Sequence, residues 1–115
     1  MHKILIKAAV ALALSGGTAL AADPIVGNWR TESGEMANIA PCGSSNFCVA
    51  IKTGAHAGKT IGLLSNDKGR YRGKITDPET NRTYRGKASI NGRSMEMSGC
   101  VLGGLICQSQ TWTKR

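Results

Sequence analysis

The sequence predicts an all-β fold, a small antiparallel up-and-down (lipocalin-like) barrel of about eight strands. Apolar and polar residues alternate along most of the chain, the period-2 pattern of half-buried strands. Turn residues interrupt that alternation about every eight to twelve positions, and no stretch shows an amphipathic helical period. Gly is abundant, with 15 residues against 3 Pro, which suits tightly turned neighbours. A partly open barrel or a sandwich is the alternative arrangement.

The first residues are read apart from the fold. MHKILIKAAVALALSGGTALA carries Lys3 and Lys7 early, then an apolar and small-residue run that ends in Ala19-Leu20-Ala21. That small-x-small ending suits signal peptidase. The apolar run falls short of the ~20 residues that span a bilayer, so no membrane span is expected. Residues 1–21 are therefore expected to be a secretory signal cleaved after Ala21, with Ala22 as the alternative. One domain, Ala22 to Arg115, would remain in the periplasm or outside the cell. The chain carries a formal charge of +8, and the leader removes only two of its cations.

Strands are expected to start near Ile25, Met36, Cys48, Thr60, Arg70, Thr83, Ser94 and Leu105. On the first, Trp29 shares a face with Ile25 and Gly27. Between the second and third, Cys42 and Cys48 flank Gly43-Ser44-Ser45-Asn46-Phe47, so that a bridge would close a hairpin mouth. The fifth and sixth strands meet at Asp77-Pro78-Glu79-Thr80-Asn81, a turn with Pro preset for an early position and Asx residues on either side. Folding there sets Ile75 roughly opposite Tyr84. Asn91-Gly92 is a strong hairpin signal. Centring the hairpin on it pairs Ala88 with Met95 and Tyr84 with Gly99, and sets Lys87 opposite Glu96. Gly103-Gly104 makes a last two-residue turn, which pairs Val101 with Ile106, Met97 with Gln110 and Met95 with Trp112. The same register sets Cys100 opposite Cys107, within disulfide range.

An even number of cysteines in an exported chain reads as disulfides, so Cys42, Cys48, Cys100 and Cys107 are expected to pair. The two local pairs are preferred, although four cysteines allow three connectivities. Their spacing does not resemble a C-x2-C zinc knuckle, and neither pair is a redox C-x-x-C. No metal site or cofactor is expected.

Alternation writes YRGK twice, at Tyr71 and at Tyr84, with Tyr and Gly inward and Arg and Lys outward. The outward face then carries Arg70, Arg72, Lys74, Arg85 and Lys87. Arg72 lies beside Lys87 and Lys74 beside Arg85, like-charge pairs that cost stability, with Glu96 as the obvious compensation. The plain reading is a solvated basic face. The sharper one is an anion-binding face for an envelope polymer such as lipopolysaccharide or an acidic glycan. Nucleic acid is set aside, because no aromatic residue interleaves these charges and an exported chain does not meet it.

The interior is the second candidate. Small barrels are usually packed, so Tyr and Trp are expected to fill it. The alternative is a small pocket lined by Trp29, Tyr84, Met97, Gln108, Gln110 and Trp112, with glycines thinning its wall. Catalytic signatures are weak. GAHAGKT has Thr53 where the first Gly of a phosphate loop belongs. His56 is the only histidine beyond the leader, so a histidine-based triad or a multi-histidine metal site cannot be assembled. The carboxylates fall mostly at turns or outward positions. No catalytic residue is assigned.

DPIVGNWRT, PCGSSNFC, YRGKITDPETNRTY and SQTWTKR follow one another in that order. Together they resemble the domain-of-unknown-function 2147 family of exported Gram-negative bacterial proteins, over nearly the whole chain after Ala21. The resemblance implies a small periplasmic β-barrel-like domain and supplies no catalytic residues. Gly27-Asn28-Trp29 also resembles the G-x-W on the first strand of lipocalins. The expected function is a non-enzymatic exported barrel acting as an envelope binding module; the alternative is a small-ligand carrier using the barrel interior.

Overall fold

The computed structural model describes residues 23–115; the expected signal segment and its cleavage point lie outside them. Eight strands form a closed, consecutively ordered antiparallel barrel. They are β1 (Gly27–Arg30), β2 (Met36–Cys42), β3 (Asn46–Ile51), β4 (Thr60–Asp67), β5 (Arg70–Asp77), β6 (Arg82–Asn91), β7 (Ser94–Val101) and β8 (Ile106–Lys114). Each begins within two residues of its expected start. The closed form sets aside the open barrel and the sandwich.

Two kinds of connection give the barrel two unlike ends. The β2–β3, β4–β5 and β6–β7 turns are tight, whereas 31–35, 52–59, 78–81 and 102–105 make longer loops at the other end. The tight end is also plugged. Residues 23–26 cross it before β1, burying Ile25 completely, and Ile25 O accepts the indole N–H of Trp29 at 2.8 Å. Asp23 accepts hydrogen bonds from Asn66 Nδ2 at 2.9 Å and from the Tyr71 hydroxyl at 3.3 Å. The Tyr71 ring is buried and meets Phe47 edge-on at 5.8 Å. Above this floor pack Trp29, Ile39, Val49, Leu64 and Met95, each on the inward parity of its strand.

The turn Asp77–Asn81 forms as expected: Asp77 Oδ1 accepts from Glu79 N at 2.9 Å, and Asn81 adopts φ 63°. The β5–β6 register also agrees, with Ile75 opposite Tyr84. The β6–β7 register does not. Ile90 pairs with Met95, Ala88 with Met97 and Gly86 with Gly99, two residues from the expected alignment. Asn91 is drawn into the ladder opposite Ser94, and Gly92 alone takes positive φ, at 65°. A turn with Gly at its first central position needs only that one, so the Asn was not required there. A two-residue slip keeps every side chain on its own face and changes only partners. Lys87 therefore faces Ser98, and Glu96 faces Ser89. Gly99 accommodates Tyr84 diagonally: a Cβ there would sit 3.4 Å from Tyr84 Cβ.

At the β7–β8 end the expected pairs all form, Cys100 opposite Cys107 included, around a four-residue loop rather than a two-residue turn. Both expected disulfides are present, Cys42–Cys48 and Cys100–Cys107. One feature of β4 had no signal in the alternation. Val49 pairs with Gly62 and Ala50 with Thr60, so Ile61 is a bulge residue. The bulge turns Ile61 inward next to the equally buried Gly62.

Close approach of β4 and β5 makes Gly73 irreplaceable in a way that Gly99 is not. A Cβ on Gly73 would overlap the Leu63 carbonyl, so Gly73→Ala is expected to cost about 1–3 kcal/mol. Gly99→Ala meets ordinary contact with Tyr84 and should lie near wild type; urea midpoints compare the two. Burial, and then the Asp23 carboxylate, raise the Tyr71 pKa above its ordinary value of 10.0. The folded state thus holds that proton more tightly than the unfolded chain. The associated stability is intact below pH ~10 and is lost as pH rises above it through the folded pKa. Tyr71→Phe should flatten this part of the alkaline limb in melts recorded against pH.

Candidate functional site

The loop end of the barrel is open, and a cavity of about 990 Å³ descends from it. Apolar side chains form its base: Ile51, Ile61, Ile75, Met97 and Trp112, all inward on their strands and all but Ile75 buried. The bulge at Ile61 supplies one of these. Beside them stand Tyr84, opposite Ile75, Gln110, opposite Met97, and Gln108. The Trp112 indole donates to Gln110 Oε1 at 2.9 Å, which leaves the Gln110 amide nitrogen as its donor group. Gly99, beside Tyr84, keeps the wall thin there.

The interior is therefore divided rather than filled throughout. The expectation of a packed interior holds for the floor half and fails for the loop half. The inward positions 108 and 110 on β8 carry Gln rather than large apolar residues there. Of the interior residues singled out from sequence, Tyr84, Met97, Gln108, Gln110 and Trp112 line this one cavity. Trp29 does not: it is 0% exposed, sealed beneath by residues 23–26.

The rim has its own charge. Glu32 and Glu35 come from the β1–β2 loop, Asp77 and Glu79 from the β5–β6 turn, and Arg82 and His56 complete it. Four of the chain's seven acidic residues are thus gathered here. Glu32 and Glu35 also hold the mouth in shape. Glu32 Oε2 accepts from Thr111 N at 2.8 Å, and Glu35 Oε1 accepts from the Thr53 hydroxyl at 2.7 Å. Sequence did not group these acids, because two connections far apart in the chain bring them together.

On the outer wall, Arg72 faces Lys87 and Lys74 faces Arg85 across β5 and β6. Arg70 lies at the floor end of the same face, opposite Asp67. The compensating acid is Asp67, whose Oδ2 lies 3.2 Å from Arg72 Nε, and not Glu96. Asp67 and Arg72 are brought together across the tight β4–β5 turn. Among the described residues, no group of three or more His, Cys, Asp or Glu could hold a metal ion. No helix among them is long and apolar enough to cross a membrane.

Comparisons with known proteins agree with this architecture. A solved structure described as "The structure of bradavidin2-biotin complex" superposes with a TM-score of 0.50 at 16% identity, covering 80% of this chain and 98% of that one. At that identity the likeness is one of fold. No curated protein matches the chain. A family model does match, over residues 58–114, which takes in β4 to β8. The DPIVGNWRT and PCGSSNFC motifs lie before the matched residues. Through that C-terminal half, the chain belongs to the family described as "Uncharacterized protein conserved in bacteria", domain of unknown function 2147.

Proposed function

We propose that this protein is a small-ligand carrier, with the ligand in the open half of the barrel. The observation that carries this reading is the cavity itself. At about 990 Å³ it falls at the upper end of the range of small-molecule sites, with an apolar base and a few convergent polar groups. Eight strands leave an interior that holds one small ligand when side chains do not fill it. The fold likeness to a protein in complex with biotin supports the reading at the level of architecture.

The lining describes the ligand. An apolar body would rest on Ile51, Ile75, Met97 and Trp112, and polar atoms would meet Tyr84, Gln108 and Gln110. The rim carboxylates favour a neutral or cationic polar end over an anionic one. In this reading the chain acts in the periplasm after cleavage near Ala21, performs no catalysis and needs no cofactor. The two disulfides are compatible with that oxidising compartment.

A second reading rests on the outer wall. The like-charge rows Arg72/Lys87 and Lys74/Arg85 are retained at a cost in stability that an anionic partner would offset. Salt-dependent binding of a polyanion is the property it entails.

The carrier reading is tested on Trp29→Phe protein, in which Trp112 is the remaining reporter. A co-purifying small molecule should be visible by native mass spectrometry, and its removal and return should shift Trp112 emission. Gln108→Ala should weaken rebinding by about two- to tenfold, the worth of one hydrogen bond. An emission spectrum indifferent to every extract fraction, with no co-purifying molecule, would end this reading.

A further inference from the structure

Exposed apolar side chains are not scattered over this barrel. Among the described residues the large ones are Leu63, Val101, Leu102, Leu105 and Ile106. Four of the five belong to the β7–β8 loop and its two flanking positions, with Leu102 67% and Leu105 85% exposed. Val101 and Ile106 also line the cavity mouth, and the loop between them is braced to present Leu102 and Leu105. Cys100–Cys107 ties its base, Val101 pairs with Ile106, and Leu105 N donates to Leu102 O at 3.2 Å. Leu102 itself adopts φ 53°, a left-handed conformation that costs a non-Gly residue about 1–2 kcal/mol. A strained leucine therefore stands in solvent at the tip.

The cross-strand register links this loop to the basic wall. Leu63, Lys74, Arg85 and Cys100 follow one another as paired residues across β4, β5, β6 and β7, and Cys107 continues the row on β8. The fifth exposed apolar residue and two cations thus lie in the row that ends at the base of the loop. Arg72 and Lys87 form the next row toward the floor.

We propose that the β7–β8 loop docks the protein on an anionic phospholipid bilayer. Leu102 and Leu105 enter the boundary between headgroups and acyl chains, while Arg85 and Lys74 meet lipid phosphates. Apolar side chains above a basic surface are what an interfacial anchor requires, and each cation near an anionic leaflet adds to binding. A loop already braced loses little conformational freedom on docking. A second copy of the chain is the weaker partner, because a standard interface takes about 20–30 residues a side and this tip offers far fewer. The acidic rim, with Glu32, Glu35, Asp77 and Glu79, lies at the same end as the loop, so the basic wall of Lys74 and Arg85, rather than the mouth, is the face that turns to the bilayer. The charge part of the proposal rests on the basic-wall reading; the apolar part is independent of it.

The test is flotation of the disulfide-intact protein with vesicles of phosphatidylglycerol and phosphatidylcholine, against vesicles of phosphatidylcholine alone. Binding should require the anionic lipid and weaken at about 0.5 M salt, where screening falls well below 10 Å. Leu102→Ser/Leu105→Ser leaves charge unchanged and should lower partitioning by about tenfold or more. Its melting curve should match wild type, because both residues are exposed. Leu105→Trp should shift its emission to the blue on anionic vesicles only. Wild-type partitioning by the double Ser variant would overturn the docking loop and leave the basic wall standing as a polyanion site. Two other results would overturn it as well: binding to a soluble polyanion without binding to vesicles, or a wild-type dimer that the Ser variant dissolves.

Discussion

Lys114 stands at the seam where the first and last strands of the barrel meet. Its ammonium lies 4.8 Å from the Trp29 ring centroid and donates to the carbonyls of Pro24 and Val26 at 2.8 and 2.7 Å. The seam it secures is short, with only Trp29 and Arg30 of β1 paired to Lys114 and Thr113 of β8. Arg115 N adds one bond to Asn28 O at 2.9 Å. A seam of this length leaves few ladder bonds between the first and last strands. The cation over the indole, worth about 0.5–2 kcal/mol, and the two carbonyls it satisfies tie β8 to the segment before β1. Gly27 belongs to the same device: its φ of 137° disfavours a side chain there, and the end of the Lys114 side chain packs against it.

Closure has two consequences. It removes the exposed edges that would otherwise pair with other chains. It also encloses a volume that must be filled, either by side chains or by something else. At the tight-turn end, residues 23–26 and the Trp29, Tyr71 and Phe47 rings fill it. At the loop end Gln108, Gln110 and Gly99 join the inward apolar residues, and the space stays open. Charge follows the same division, with carboxylates collected at the rim and cations spread over the β5–β6 wall. One small barrel thus presents two surfaces of opposite sign.

Much of this was legible because strand parity is rigid. Once Asp77–Asn81 was recognised as a turn, Tyr71, Ile75, Tyr84 and Ala88 had to face inward and Arg72, Lys74, Arg85 and Lys87 outward. Cys100 and Cys107 then confirmed the register of β7 and β8. The Asn91-Gly92 hairpin shows the limit of that reasoning. Turn chemistry allowed two alignments that share every facing and differ only in partners. The one that forms pairs Gly86 with Gly99 and Ile90 with Met95. The Ile61 bulge could not be recognised from the alternation, because its break in parity reads like the break at a turn.

Parity, turns and cysteines, all local properties, determined from sequence the strand number, the inward and outward sets and the basic wall, and favoured the two local disulfides among three possible pairings. Tertiary structure alone decided which inward residues are covered. Trp29 and Trp112 look alike in sequence, each an inward Trp on a terminal strand. One is sealed by residues 23–26, and the other lines a cavity that the longer loops leave open. It likewise gathered Glu32, Glu35, Asp77 and Glu79, which share no strand, into one rim. Such facts depend on which ends of the strands meet in space, and that is set only when the sheet closes.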